Sequence, residues 1–515
     1  MRQKIAIKSS VIGISTRIIT IVLSLITTRL FLKYLGIEIK GINGLINNIL
    51  SLLQLAEMGI GTAIIYALYQ PIVEDNQEEI CSLMALYKKA YNYIGLFVIG
   101  IGSIVSLFLR FIIEDATYGW DYIYIIYFIQ LIAASATYFV GAYRRNLLYA
   151  DQKQYITVIV DAIANIIFSL CRIVIIVVFK SYLLYLLMQI LQTVCSNTLI
   201  CIYTNKQYPY IKNSKAEKYD KVPELVSNIK HVVVGKVGGV IYNSTDSILI
   251  SKFVGVIAVG YMTNYYTLRS MIKMIVSSVT DPIKPMIGNF VREDNDVSKS
   301  FQLFLSYSFI RFVIANFITV GFVSLCNPLI DLWLGPEYNL PVIIPILIAT
   351  DLFIDIVHGP TWEFNNVLGF FKSNRNMALG GAAINLFSSI ILVQVMGTEG
   401  VLIGTVIAQM YYWIARAFIT FSHYFHQGVI VYIWRVLSYT VITVIDIMVV
   451  VSIRRFVMPE TDILHFIIMC AISVFVSAIT IVTFWHKSVE FSTMISIIGK
   501  LFTKTSSRRA ENQNG

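Results

Sequence analysis

Charged residues are scarce in this 515-residue chain, at 14%, where a soluble globular domain carries about a quarter. That shortfall excludes an ordinary soluble protein, whose hydrated surface needs those charges. Cysteine is scarce too. Cys81, Cys171, Cys195, Cys201, Cys326 and Cys470 include no CxxC pair and mostly fall in apolar stretches. A disulfide framework and a zinc site are thereby excluded, and the six read as small packing residues. There is no GxxxxGK[ST] loop, so any use of ATP would need a second subunit. A GxSxG elbow is also missing. His423 and His426 share a helix face without a third ligand nearby. Neither a metal site nor a catalytic residue is expected.

What the chain has in abundance is apolar sequence. Hydrophobic residues make up 57% and the mean hydropathy is +0.72. A helix needs about 20 apolar residues to cross a bilayer, and fourteen stretches approach or exceed that, from Ser10–Leu32 to Ile463–Trp485. The tenth, Val342–His358, is short and bracketed by Pro341, Pro345 and Pro360. Helices are required, because an open sheet edge cannot be satisfied in lipid. The expected class is an all-α polytopic membrane protein. The first run is long, contains Arg17 and lacks a cleavage site of small residues, so it reads as a retained span.

The net charge of +10 does not call for nucleic acid here. Lys and Arg cluster in alternate loops, which sets topology and contact with anionic headgroups. With the amino terminus in the cytoplasm, the outer side holds only Lys33, Lys40, Lys180, Lys252, Arg454 and Arg455. Both termini are then cytoplasmic.

The polar, lysine-rich segment 205–230 follows the sixth span and reads as a linker. It separates a six-helix bundle, 1–204, from a second, 231–425. Two accessory helices (426–486) and a basic tail (487–515) follow. An internal echo supports duplication: Gly36 and Gly41 follow the first span, Gly255 and Gly260 the seventh. Glycine suits such turns because it accepts positive φ and close helix approach. Both spans start from the cytoplasm, so the repeats are parallel, and substrate sites of such proteins lie near the bilayer midplane.

Several charges fall inside the spans. Each would cost roughly 2.5–3.5 kcal/mol facing lipid, so each needs a cavity, a partner or a route to the headgroups. Arg172 and Arg269 are too central to snorkel. Lys273 lies one turn from Arg269 on the same face. Arg17, Lys236 and Arg311 are nearer the inner side, and Arg416 suits snorkelling. A cationic cavity lined by Arg17, Arg172, Arg269, Lys273 and Arg311 would want an anion, and arginine forks match phosphate oxygens. Glu57, Asp246 and the pair Asp351 and Asp355, with His358 one turn on, are candidates for Na+ or H+ coupling; pairing with a neighbouring helix explains them equally well. Asp446, in the appended pair, carries little weight. No other cofactor is expected.

The segment Leu55-Ala56-Glu57-Met58-Gly59-Ile60-Gly61-Thr62-Ala63 resembles part of the second span of bacterial polysaccharide repeat-unit flippases, which serve O-antigen and capsule assembly. These belong to the multidrug/oligosaccharidyl-lipid/polysaccharide exporter superfamily. The turn from Gly36 to Gly41, the passage from Asp246 through Gly255 to Val259-Gly260-Tyr261, and Gly397-Thr398-Glu399-Gly400 are similar to the family's turns, in the same order. The resemblance implies two six-helix bundles around a central cavity, working by alternating access in the cytoplasmic membrane. It also implies a cargo of oligosaccharide on polyprenyl pyrophosphate. Membrane lipids and other polysaccharide assembly proteins are implied partners, and nucleic acid is not. In related lipid II flippases cationic residues on spans 1 and 8 contact the pyrophosphate, and Arg17 and Arg269 fall on the matching spans. The acid adjoining the first of these is absent, since Thr16 and Ile18 flank Arg17. The competing functions are multidrug or organic-cation efflux, which prefers an acidic or aromatic cavity, and a polysaccharide polymerase or ligase, which needs a larger outer domain.

Overall fold

The computed structural model describes residues 2–57, 60–213, 238–240, 242, 244–293, 296–457 and 462–496, with the side chains of the first helix described from residue 19 onward. Lys236, most of the linker, the end of the tail and the Arg17 side chain therefore lie outside the described residues.

Every long element is a helix. In order they are α1 (Arg2–Leu35), α2 (Ile37–Leu53), α3 (Ile60–Val73), α4 (Gln77–Ser106), α5 (Trp120–Phe139), α6 (Gln154–Val178), α7 (Tyr182–Gln207) and α8 (244–253). They continue as α9 (Val256–Thr280), α10 (Val297–Trp333), α11 (Ile343–Val357), α12 (Phe371–Met396), α13 (Thr398–Thr420), α14 (Ile430–Val457) and α15 (Ile463–Trp485). Among the described residues, ten helices are long and apolar enough to cross a membrane. α9 is not among them, since it carries asparagine, threonines and tyrosines besides Arg269 and Lys273. Large apolar side chains face outward in rows, such as Ile163, Ile167, Leu170 and Val174 on α6, or Leu437, Val441, Val444 and Met448 on α14. Such a surface is an aggregation liability in water and the correct one in lipid. The chain is an all-α polytopic membrane protein.

Two expectations about span boundaries change. The second span is interrupted: α2 gives way to a short 3-10 turn, Gln54–Ala56, ahead of α3. The tenth does not stop at His358. A further helix, Gly359–Val367, continues it. Pro360 has no N–H to offer the carbonyl of Ile356, and the Arg311 Nε donates to that oxygen instead, at 2.9 Å. Gly359 makes the space, because a β-carbon there would overlap the Arg311 guanidinium. The same device recurs in α10. Pro328 leaves the Ser324 carbonyl without its helical donor, and Arg454 Nη1 supplies one at 3.1 Å.

The chain divides into two compact units. The first comprises residues 1–264 with 393–398, and the second 265–392 with 399–515. In the first, α4 packs on α5, α6 on α7 and α1 on α6. Gly36 and Gly255 both adopt positive φ, 84° and 116°. Gly41 and Gly260 are closely approached in a reciprocal way. A β-carbon on Gly41 would strike the Val256 carbonyl oxygen, and one on Gly260 would strike that of Ile37. Ile37 and Val256 each directly follow the turn glycine, so the contact is built twice from equivalent positions. That symmetry is what a duplicated turn produces, and it adds packing to the spacing seen in the sequence. Beside it, the buried Glu38 carboxylate accepts from the Thr117 and Tyr118 backbone N–H groups, at 2.6 and 3.2 Å.

In the second unit α10 is the central post. It packs against α11, α14 and α15. Phe304, Phe364, Phe421, Phe425 and Tyr432 form an aromatic core around it. Phe312 and Tyr439 stack with centroids 4.1 Å apart, which fastens α14. One turn from Tyr439 on α14, Arg435 hydrogen-bonds Glu490. Burial pushes the Glu490 carboxyl up, but the hydrogen bond and charge of Arg435, with hydrogen bonds from its own backbone and Ser488, together hold the group below the usual range.

Alanine at Gly41 or at Gly260 puts a methyl group against backbone that cannot swing aside. Overpacking of this kind costs about 1–3 kcal/mol. Each variant is expected to melt at lower temperature than wild type in detergent, whereas Gly100→Ala, where nothing lies within 4 Å, is expected to leave the transition in place.

Candidate functional site

Two groups of charges lie inside the spans, one in each unit. In the second unit, Arg269 and Lys273 on α9 meet Asp351 and Asp355 on α11. Each pair is spaced by four residues, so both sit one turn apart on one face. Arg269 Nη2 bonds Asp351 Oδ2, and Lys273 Nζ lies 2.8 Å from Asp355 Oδ2. His358 Nε2 is 3.9 Å from the other Asp355 oxygen. The two rungs differ in access. The Asp351 side chain is 4% exposed, while those of Lys273 and Asp355 are each 36% exposed. About two turns beyond Asp355, Glu363 lies 3.8 Å from Arg311, which is itself buried. Arg416 sits over the rings of Trp362 and Tyr412, at 4.5 and 4.7 Å. Cation–π stacking thus gives the Arg416 guanidinium partners within its own unit.

The first unit holds a polar cavity of about 440 Å³. Its walls come from α4, α5, α6, α7, the end of the interrupted second span and the short helix Arg145–Ala150. Arg145 forks onto Asp161, with N–O distances of 2.6 and 2.9 Å. Its Nε donates to Asn197 at 2.9 Å, and Ser196 donates to Asp161 at 2.5 Å. Glu57 accepts from Tyr91 at 2.5 Å, and Tyr91 accepts from Tyr87 at 3.0 Å. Asn146, Asn165, Gln192, Thr137, Thr193 and Tyr149 supply the rest of the polar lining. The buried Gln192 Oε1 has no hydrogen-bond partner. A pocket with this many amides and hydroxyls, one paired arginine and two carboxylates is built to exchange hydrogen bonds with a hydroxyl-rich ligand.

Of the sequence candidates, the fold joins Arg269, Lys273, Asp351 and Asp355 in one cluster. Arg311 adjoins it and serves the break at Pro360. Glu57 lines the cavity. Arg172 stands apart, donating to Ser169 at 2.9 Å and lying over Tyr185 at 5.6 Å. Asp246 is buried on α8, next to Ser247, which accepts from Asn48 at 2.8 Å. Arg145 was missed as a site residue because its position next to Arg144 reads as a topogenic loop charge. The signal that could have found it was the polar run Asn146, Asp161, Asn165, Gln192 and Asn197, which no lipid-facing role explains.

The fold is that of the polytopic exporters. The chain is similar to the lipid II flippase MurJ in its inward closed conformation, with TM-score 0.67 and 14% identity, over 92% of this chain and 99% of that one. It is also similar to a multidrug resistance MATE family transporter of the MOP superfamily, inward-facing, with TM-score 0.60 and 13% identity, over 79% of this chain and 96% of that one. No curated protein matches at the level of sequence. Residues 6–291 match the family model described as polysaccharide biosynthesis protein, and the chain belongs to that family.

Removing one partner from the sealed rung leaves a buried charge uncompensated, at about 3–5 kcal/mol. Asp351→Ala is expected to cost that much in thermal or denaturant unfolding. Lys273→Ala, at the open rung, is expected to cost about 0.2–1 kcal/mol. Equal losses at the two rungs would contradict the difference in access.

Proposed function

We propose that the protein translocates polyprenyl-pyrophosphate-linked oligosaccharide repeat units across the bacterial cytoplasmic membrane by alternating access, for cell-surface polysaccharide such as O-antigen or capsule. It does so as a transporter and not as an enzyme, with both termini cytoplasmic. The observation that carries this reading is the polar cavity of the first unit. Amides and hydroxyls recognise sugar hydroxyls, Tyr149 offers a ring, and the Arg145–Asp161 fork holds the walls in place. Family membership supports the polysaccharide context. The two bundles are taken as 1–204 and 231–425, joined by the basic linker.

The pyrophosphate is assigned to Lys273 and Arg269. Lys273 is the more accessible, and a phosphate oxygen can draw it from Asp355 without unsealing the Arg269 rung. Arg17 and Arg172 stay as secondary candidates, and Arg311 is given a positioning role at the Ile356 carbonyl. Na+ or H+ coupling through Glu57, Asp246, Asp351 or Asp355 is part of the same proposal, because a carboxylate released from its cation needs another one.

Similarity to a multidrug transporter favours a second reading, efflux of organic cations. Such a cargo would seek unpaired acids, and at the α9–α11 cluster the acids are paired. A polymerase or ligase finds little support in outer loops this short.

In cells lacking the native gene, Gln192→Leu and Asn165→Leu are expected to lower surface polysaccharide at least about tenfold, the loss of roughly 1.4 kcal/mol or more of cargo recognition, with normal amounts of protein in the membrane. Lys273→Ala is expected to do the same, and it is a cleaner probe than an Arg269 variant, which also unseals Asp351. Unchanged polysaccharide together with new sensitivity to cationic drugs in the deletion strain would favour the efflux reading.

A further inference from the structure

Asp446 is the membrane-embedded acid for which the proposed function has no use. It lies midway along α14 and is fully buried. Two donors reach its carboxylate. Asn316 Nδ2 on α10 donates at 2.8 Å and Thr480 Oγ1 on α15 at 3.0 Å. Both bonds go to Oδ2. Oδ1 is buried with no hydrogen-bond partner, and so are Asn316 Oδ1, Thr319 Oγ1 and Ser477 Oγ. These residues belong to three helices that pack on one another. Asn316 and Thr319 are one turn apart on α10, and Ser477 and Thr480 one turn apart on α15.

The chemistry of this group is one-sided. It offers oxygens and no spare N–H. Asp161, Asp351, Asp355 and Glu363 each have an arginine or lysine partner. Among the described residues no lysine, arginine or histidine pairs with Asp446. An isolated carboxylate in a low-dielectric interior is strongly unfavourable. A proton on Oδ1 would cancel the charge, yet it could satisfy only one of the other three oxygens. A cation beside Oδ1 would cancel the same charge and can accept several oxygen ligands at once. An oxygen-only donor set selects a hard cation, and one carboxylate balances a single positive charge.

We propose that Asn316, Thr319, Asp446 and Ser477 bind a dehydrated monovalent cation of the sodium type, within the second unit where α14 and α15 dock on α10. The ion ties the appended helix pair to the central post. This does not depend on what the protein transports.

The test uses the purified full-length protein in detergent. Thermal unfolding is followed as NaCl replaces choline chloride at constant ionic strength and pH, alongside binding of ²²Na+. The expected result is a saturable rise in melting temperature and saturable binding of ²²Na+. Ser477→Ala is expected to raise the half-saturating concentration by about tenfold, as removal of a metal-site contact does. Asp446→Asn keeps the size of the side chain and is expected to abolish both responses. Wild-type protein that binds no ²²Na+ and melts alike in both salts would overturn the proposal, because the oxygens would then be served by a proton or by water. So would sodium binding that survives unchanged in Asp446→Asn, which would place the ion elsewhere. Where Asp446→Asn fails to fold, Ser477→Ala decides the location, because an unchanged half-saturating concentration in that variant would place the ion elsewhere and overturn the proposal.

Discussion

Charge neutrality inside an apolar solvent is the constraint from which the rest of this structure follows. A lone charge in lipid costs several kcal/mol, and the units answer it locally. Arg145 meets Asp161, Arg269 meets Asp351, Lys273 meets Asp355, and Arg311 meets Glu363. Lys252 and Glu114 do the same near a turn of the first unit. Each pair joins two elements that are distant in sequence or separated by a turn. The pairs therefore fix helix register as well as cancel charge. Replacing them by apolar residues would often preserve stability, so stability alone does not explain why they are there.

The backbone obeys the same rule. A proline in a membrane helix frees a carbonyl that lipid cannot satisfy. At Pro328 and at Pro360 an arginine from a neighbouring helix donates to the oxygen four residues back. Arg454 and Arg311 are thus spent on backbone repair, a role that hydropathy does not reveal. Gly359 shows the cost in side-chain space, since the guanidinium occupies the volume of its missing β-carbon.

The helices themselves were legible, because the apolar runs are long and the charges between them alternate. The glycine echo was legible as spacing, and its reciprocal packing explains why those positions have to be glycine. Pairing was the part that sequence left open. Asp351 and Asp355 lie on one face of α11, as Arg269 and Lys273 do on α9, and spacing alone fits a shared cavity as well as a ladder. Which helix faces which is a tertiary fact. The cavity of the first unit was invisible for a related reason. Amides and hydroxyls such as Asn165 and Gln192 are tolerated in many membrane helices, so no single one draws notice. The break at Pro360 was misjudged because a helix end was inferred from the residue that interrupts hydrogen bonding, while the donor that restores it sits 49 positions away in the chain, at Arg311.

Paired charges also set terms for any anionic cargo. A pyrophosphate that approaches Lys273 has to outcompete Asp355 for it. If it succeeds, the Asp355 carboxylate loses its cation in a medium where that loss is expensive, and His358 is too distant, at 3.9 Å, to form a short bond without movement. The carboxylate then has to take up a proton or a metal ion, or α11 has to move until it meets another cation. Under the proposed function, the first outcome would couple transport to an ion gradient, and the second would couple it to helix motion. In both, the ladder would convert binding of such a cargo into a change elsewhere, because neutrality at each rung is a two-body property that a third charge cannot join without displacing one of the first two.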